Sequence, residues 1–194
     1  MVTDLRAIAD RLEIIEVCTR VHWCYDHQDW DALDALFGDP VSMPTLAQAG
    51  EPGFDPERYL DHYLFTRAEL KRALGSVRNG LVTQHLIAGH QVTLDRDRAV
   101  CLAHSINIHL PSRAEAGSAS SGTAPGGGLV GDPGGGLVGG PGGGLVAHGN
   151  DYRFDLVRTD DGWRIRGWVP RIRWDYGDHG SYDAAAKQAA WRDA

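Results

Sequence analysis

From Leu81 onward the chain alternates polar and apolar side chains through two long runs, LVTQHLIAGHQVTLD and RAVCLAHSINIHL, joined through the charged turn DRDR. A period of two marks a strand with one buried face, and two such runs so closely joined predict an antiparallel hairpin. Residues 150 to 159 and 163 to 174 repeat the pattern around TDDG, a second hairpin. A sheet of this length needs a cover for its buried face, and the preceding residues supply helices. Leu5, Ile8, Leu12, Ile15 and Cys18 step by three or four after a cap at Thr3 or Asp4. WDALDALF predicts a second short helix with Asp29 as its N-cap. Residues 38 to 54 read as loop with a short strand around Val41. Asp55-Pro56 then opens a helix through Leu60, Tyr63, Leu64, Leu70 and Leu74, ending near Gly75 or Gly80. The tail, residues 177 to 194, carries a last helix capped by Ser181. Helices followed by antiparallel strands predict an α+β fold: one domain over residues 1–194, with the helices on one face of the sheet.

A low-complexity segment, residues 112 to 148, interrupts the strands. It contains GGGLVGDPGGGLVGGPGGGLV, an eight-residue unit repeated nearly three times, and 13 of the 25 glycines lie between 126 and 149. Such a composition has few side chains to offset its ordering entropy. It reads as a flexible loop expanded by repetition, or as a flap or oligomer contact using Leu129, Leu137 and Leu145. It is no phosphate-binding loop, because GxxxxGK[ST] is absent.

The net charge of -7 comes without any Lys/Arg cluster, which argues against nucleic acid and anionic membrane as partners. The N-terminus is charged from its fourth residue and no apolar run approaches the roughly 20 residues that span a bilayer, so neither signal peptide nor membrane anchor is expected. Cys18, Cys24 and Cys101 are odd in number and sit in apolar segments. They predict reduced, buried thiols in a cytoplasmic protein.

The chemistry concentrates in HWCYDHQDWD, residues 22 to 31. On a helical wheel, Leu12, Ile15 and Cys18 centre the expected buried face. His22 and Asp26 continue that arc, Tyr25 sits on its edge and His27 falls among the wet residues. An inward carboxylate requires a partner. In the second run Val100, Leu102, His104, Ile106 and Ile108 alternate onto the expected core face, which turns His104 inward and Cys101, Ala103, Ser105, Asn107 and His109 outward. In the first run His85 shares a face with Ile87, and His90 with Leu86; alternation does not decide which is inner. A histidine facing an inward Asp and Tyr is a candidate for acid/base work. His85, His90, His104 and His109 form no HxH or HExxH spacing and no cysteine pair accompanies them, so no metal is expected. GxSxG and GxGxxG are both absent.

Three motifs in order, YDxxDWD at 25–31, TQH at 83–85 and GWVPRIRW at 167–174, resemble the scytalone dehydratase family. That family lies in the SnoaL-like group of the nuclear transport factor two superfamily. The resemblance covers residues 5 to 37 and 81 to 176 apart from the glycine segment. It implies a cone-shaped curved sheet wrapped around the helices, with a pocket at its mouth. It also implies dehydration of a cyclic or polyketide-like hydroxy ketone, without metal or cofactor. By matching position, Tyr25 polarises the substrate carbonyl through a water, Asp26 orients a histidine, His85 is that general acid/base, and Asn150 is a pocket asparagine. A second pocket histidine is expected: Leu110 holds the in-register position, His109 reaches it by a one-residue shift, and His104 lies deeper. His22, Ile106, Ile108, His109 and Asn150 are the expected substrate-binding residues, beside the catalytic set Tyr25, Asp26, His85 and His104. The family's second carbonyl-polarising tyrosine is missing from SMPTLAQ, with Tyr59 or Tyr63 available from the following helix. The resemblance further implies a homo-oligomer, trimer or dimer, through the outer sheet face, where Cys101, Ala103 and Ser105 are expected, and a tail closing over the pocket with Trp191 as plug. Isomerase or cyclase chemistry in the same pocket, or non-catalytic binding of a small molecule, are the alternatives.

Overall fold

The computed structural model describes residues 4–78, 81–111 and 145–177. Helix α1 runs Leu5–His27, capped by Asp4, whose carboxylate accepts from the Arg6 amide at 3.0 Å. Gln28 ends it in the left-handed region, φ 57°, and donates its amide to the Cys24 and Tyr25 carbonyls. Asp29 then caps α2, Trp30–Asp34, accepting from the Ala32 amide at 3.2 Å. Strand β1, Phe37–Ser42, and the short α3, Leu46–Ala49, follow. The helix expected from Asp55 onward is broken instead. A 3₁₀ turn at Tyr59–Asp61 and a short strand β2, Leu64–Phe65, precede α4, Arg67–Arg78. The capping box Thr66-x-x-Glu69 sets that later start: the Thr66 amide donates to Glu69 and the Glu69 amide to the Thr66 hydroxyl.

Four long strands complete the chain: β3 Leu81–Asp95, β4 Arg98–Pro111, β5 Val146–Thr159 and β6 Gly162–Gly177. They join in a six-stranded curved, unclosed sheet of order β2-β1-β6-β5-β4-β3. The expected α+β class holds. All neighbours pair antiparallel except β1 with β6, which run parallel. Strand β5 starts at Val146, so the expected glycine segment is shorter at its C-terminal end than the 148 boundary. Leu129 and Leu137 of the repeat, the Ser181-capped helix and Trp191 lie outside the described residues. Among the described residues no helix is long and apolar enough to cross a membrane.

The core lies between α1 and the concave face of the sheet, around Ile14, Cys18, Val21, Phe154, Trp163 and Ile165. Two expected faces are corrected. On α1 the buried stripe is Ile14, Val17, Cys18, Val21, His22 and Tyr25, while Leu12 is exposed. The helix is rotated because Asp10 turns inward to meet Arg158 and the Trp163 indole. On β4 the faces are reversed: Cys101, Ala103, Ser105, Asn107 and His109 are buried, whereas Leu102, His104 and Ile106 are exposed and Ile108 is half-buried on the same outer side. The inner residues of β4 are small or polar.

A smaller apolar cluster sits on the opposite, convex side, where Ala49, Phe54 and Tyr59 pack over Val169. The Tyr59 hydroxyl donates to Asp155 at 2.8 Å, and Asp155 is in turn gripped by Arg153 at 2.9 Å. Tyr59 therefore faces away from the pocket and does not replace the missing tyrosine.

Candidate active site

The last inward turn of α1 brings Asp26 against β3. Alternation places Thr83 and His85 on one face with Gln84 between them turned out, and both meet the same carboxylate. Asp26 Oδ1 lies 2.6 Å from His85 Nδ1 and accepts the Thr83 hydroxyl at 2.7 Å, while Oδ2 accepts the His85 backbone amide at 2.7 Å. Burial works to raise the Asp26 pKa. The hydrogen bond and charge of His85, the Thr83 hydroxyl and the amide reverse this and bring it down to about 2. Asp26 is thus an anion that fixes the proton of His85 on Nδ1 and turns Nε2 towards His109.

His85 Nε2 lies 3.5 Å from His109 Nε2. His109 is inward without any register shift, because the whole face of β4 is reversed relative to the expectation. Four imidazoles run in file: ring centroids lie 5.3 Å apart from His22 to His85, 5.3 Å from His85 to His109 and 5.5 Å from His109 to His148. They are spread along the wall rather than converging, and among the described residues no three His, Cys, Asp or Glu side chains are grouped to hold a metal.

Tyr25 packs edge-on against the His85 ring at 5.3 Å. His22, one turn earlier on α1, is buried among Tyr152, Phe154 and Trp168. Burial first, and the neighbouring His85 second, hold its pKa down at about 3, so it is a neutral ring. Asn150 is buried on the inner face of β5, 3.5 Å from the Ser105 hydroxyl. Beside it the Asn107 amide donates to the Tyr152 hydroxyl at 2.6 Å.

The structure therefore brings together Tyr25, Asp26, His85, His109, Asn150 and His22. It separates His104, Ile106 and Ile108 from them. His104 points out of the sheet, where its Nδ1 meets Asp151 at 2.8 Å, so it is not an inward catalytic group. Thr83, Asn107, His148 and Tyr152 were missed by sequence reasoning. Alternation outward from Asn150 along 148, 150 and 152 was the signal that could have found two of them.

The fold agrees with what the chain is similar to. A model of the SnoaL-like domain matches residues 6–169. The Kfla4162 protein of Kribbella flavida is 25% identical with a TM-score of 0.63, over 92% of this chain and 98% of that one. A candidate scytalone dehydratase of Novosphingobium aromaticivorans superposes with a TM-score of 0.58 at 13% identity, over 88% of each chain. A hexachlorocyclohexane dehydrochlorinase, type 2, does so with 0.57 at 12% identity, over 92% of this chain and 95% of that one. No protein of curated function matches the chain. With most of its length matched, the chain belongs to the SnoaL-like domain family.

Proposed function

We propose that the protein is a dehydratase that removes water from a neutral cyclic or polyketide-like hydroxy ketone by acid/base catalysis from its own side chains. The observation that carries this reading is the two-point grip of Asp26 on His85, which holds the proton on Nδ1 and leaves Nε2, 3.5 Å from His109 Nε2, as the base. His85 takes the proton from the carbon next to the carbonyl, the C–H bond breaks, and the electron pair moves into an enolate. Tyr25 steadies the enolate oxygen by hydrogen bonding. The charged His85 then gives its proton to the β-hydroxyl. The C–O bond breaks, the double bond forms and water departs, which returns His85 to its neutral form. An oriented acid/base of this kind contributes about 10²–10⁴-fold in rate. On the inner face beside His109, β4 supplies Ser105 and Asn107 and β5 supplies His148, Asn150 and Tyr152, without a Lys or Arg among them, which suits a neutral substrate. Two of the fold's similar structures bear names of elimination enzymes, a parallel of scaffold rather than of residues.

The His85–His109 pair favours a second reading. Two imidazoles 3.5 Å apart can take a proton from one carbon and return it to another, which is isomerisation. Mass spectrometry on a panel of cyclic β-hydroxy ketones separates the two. A product lighter by one water, formed by the full chain and not by His85→Ala, supports the dehydratase. Rearrangement at constant mass supports the isomerase. No turnover of any panel member by the full chain counts against both.

A further inference from the structure

Of the four imidazoles in file, the middle two stand in a relation of their own. His85 Nε2 and His109 Nε2 approach to 3.5 Å, with the ring centroids 5.3 Å apart. That is long for a hydrogen bond, which prefers about 2.9–3.0 Å. Nor do the rings meet head-on. In a five-membered ring of ~1.33 Å bonds each nitrogen lies about 1.1 Å from the centre, so a head-on pair at this nitrogen separation would have its centres about 5.7 Å apart. Two imidazoles on one tetrahedral cation, with bonds of about 2.0–2.1 Å, have nitrogens about 3.3–3.4 Å apart and ring centres about 5.1–5.3 Å apart. Both observed separations fall within about 0.2 Å of these values, the tolerance expected of a metal site.

The surroundings suit a cation. Asp26 accepts from His85 Nδ1 at 2.6 Å and so leaves the Nε2 lone pair outward, the carboxylate–histidine arrangement that orients imidazoles on metals. The Thr83 hydroxyl holds that carboxylate in turn, at 2.7 Å. His109 supplies a second lone pair when its own proton stands on Nδ1. A dication among buried groups needs a negative charge nearby, and the Asp26 carboxylate provides one. Ser105, Asn107 and Asn150, buried on the inner strand positions beside the pair, bring no opposing positive charge. Among the described residues no third ligand is grouped with these two, so the remaining tetrahedral positions fall to water.

We infer that His85 and His109 form a two-histidine site for a divalent cation of the zinc class, bound through both Nε2 atoms with Asp26 behind His85. Imidazole donors favour Zn²⁺, Co²⁺, Ni²⁺ and Cu²⁺ over Mg²⁺ and Ca²⁺, which take oxygen ligands. The cation occupies the lone pair that His85 uses as a base, so metal binding and proton transfer exclude each other. The site follows from the two rings alone, and only the block on turnover rests on the dehydratase reading.

Titration of the metal-free full chain tests it, with Zn²⁺ followed by calorimetry and Co²⁺ followed by visible absorption. Zn²⁺ should bind in a specific phase of one ion per chain, and Co²⁺ should give the intense bands of a tetrahedral centre, which an octahedral surface-bound ion lacks. His85→Ala and His109→Phe should each abolish both signals with an unchanged far-ultraviolet spectrum. Asp26→Asn should weaken Zn²⁺ binding about 10–100-fold. His104→Ala, on the convex side beside Asp151, should change neither signal, and Mg²⁺ should not compete. No tetrahedral Co²⁺ signal, or Zn²⁺ binding kept by both His85→Ala and His109→Phe, would overturn the site. Saturating Zn²⁺ should also stop turnover, with recovery on chelation. A saturated chain that still turns over a ketone would overturn the block and leave the dehydratase reading standing, whereas binding by a chain with no turnover even without zinc would support the site and count against that reading.

Discussion

Asp26 holds His85 at both ends of one residue, the side chain through Oδ1 and Nδ1 at 2.6 Å and the backbone amide through Oδ2 at 2.7 Å. The ring is thereby positioned by strand and helix together. Asp26→Asn keeps the shape but replaces one acceptor oxygen with a donor, so the ring loses either its tautomer or its anchor. We predict a fall in kcat of at least about 10²-fold, matched by His85→Ala. Nitrogen NMR of the imidazoles should show the His85 tautomer mixture changed in Asp26→Asn. Full turnover in both variants would sink the mechanism.

His109→Phe should cost less than His85→Ala, because it removes the neighbour of the base and not the base. The expected signature is a changed pH profile of kcat, with the Asp26–His85 bonds retained. A profile identical to the parent's would remove His109 from the proton path.

Acid should weaken the fold through His22 before it reaches Asp26. The folded pKa of His22 is down at about 3, below the ordinary histidine value, so the unfolded chain binds its proton first. Stability is then full above pH ~6.5 and declines as pH falls toward 3, by up to about 5 kcal/mol from this one ring. Asp26, lowered to about 2, adds a further loss only as pH falls below ~4. Urea unfolding at pH 7 and pH 4 checks this. His22→Phe should lose much less stability between the two than the parent does, and an equal loss would refute the assignment.

Tyr59→Phe should separate stability from activity. It removes the hydroxyl bound to Asp155, on the convex side, at a cost of about 1–2 kcal/mol in urea unfolding. Gly167→Ala should cost more, because the new Cβ would lie 2.2 Å from that same hydroxyl. Both variants should keep parental kcat under folded conditions. A catalytic defect in Tyr59→Phe would place the residue in the site after all.

The site was legible where bonding obliges neighbours to be near each other in sequence. The helical wheel turned Asp26 inward, and Thr83 with His85 two residues on had to share a face. Strand β4 was read with its faces exchanged for a physical reason. Alternation gives the period of a strand, not which side is wet. The outer side of β4 carries Leu102, Ile106 and Leu110, as apolar as any core face, while the buried inner side is Ala103, Ser105, Asn107 and His109. The rotation of α1 was hidden for a similar reason. It depends on Asp10 finding Arg158 and Trp163, about 150 residues away in the chain.

Asp10 and Asp26 stand on one helix, sixteen residues or about 24 Å apart at the usual rise. The first is bound to β5 and β6 through Arg158 and Trp163, the second to β3 through Thr83 and His85. Helix α1 is thus a tie rod clamped at two far points of a bent plate. Loosening the clamp at Asp10 lets the rod rotate, and the rotation is delivered at the far end as a misaimed histidine. A residue that never approaches a ligand would in this way set how accurately the pocket is aligned.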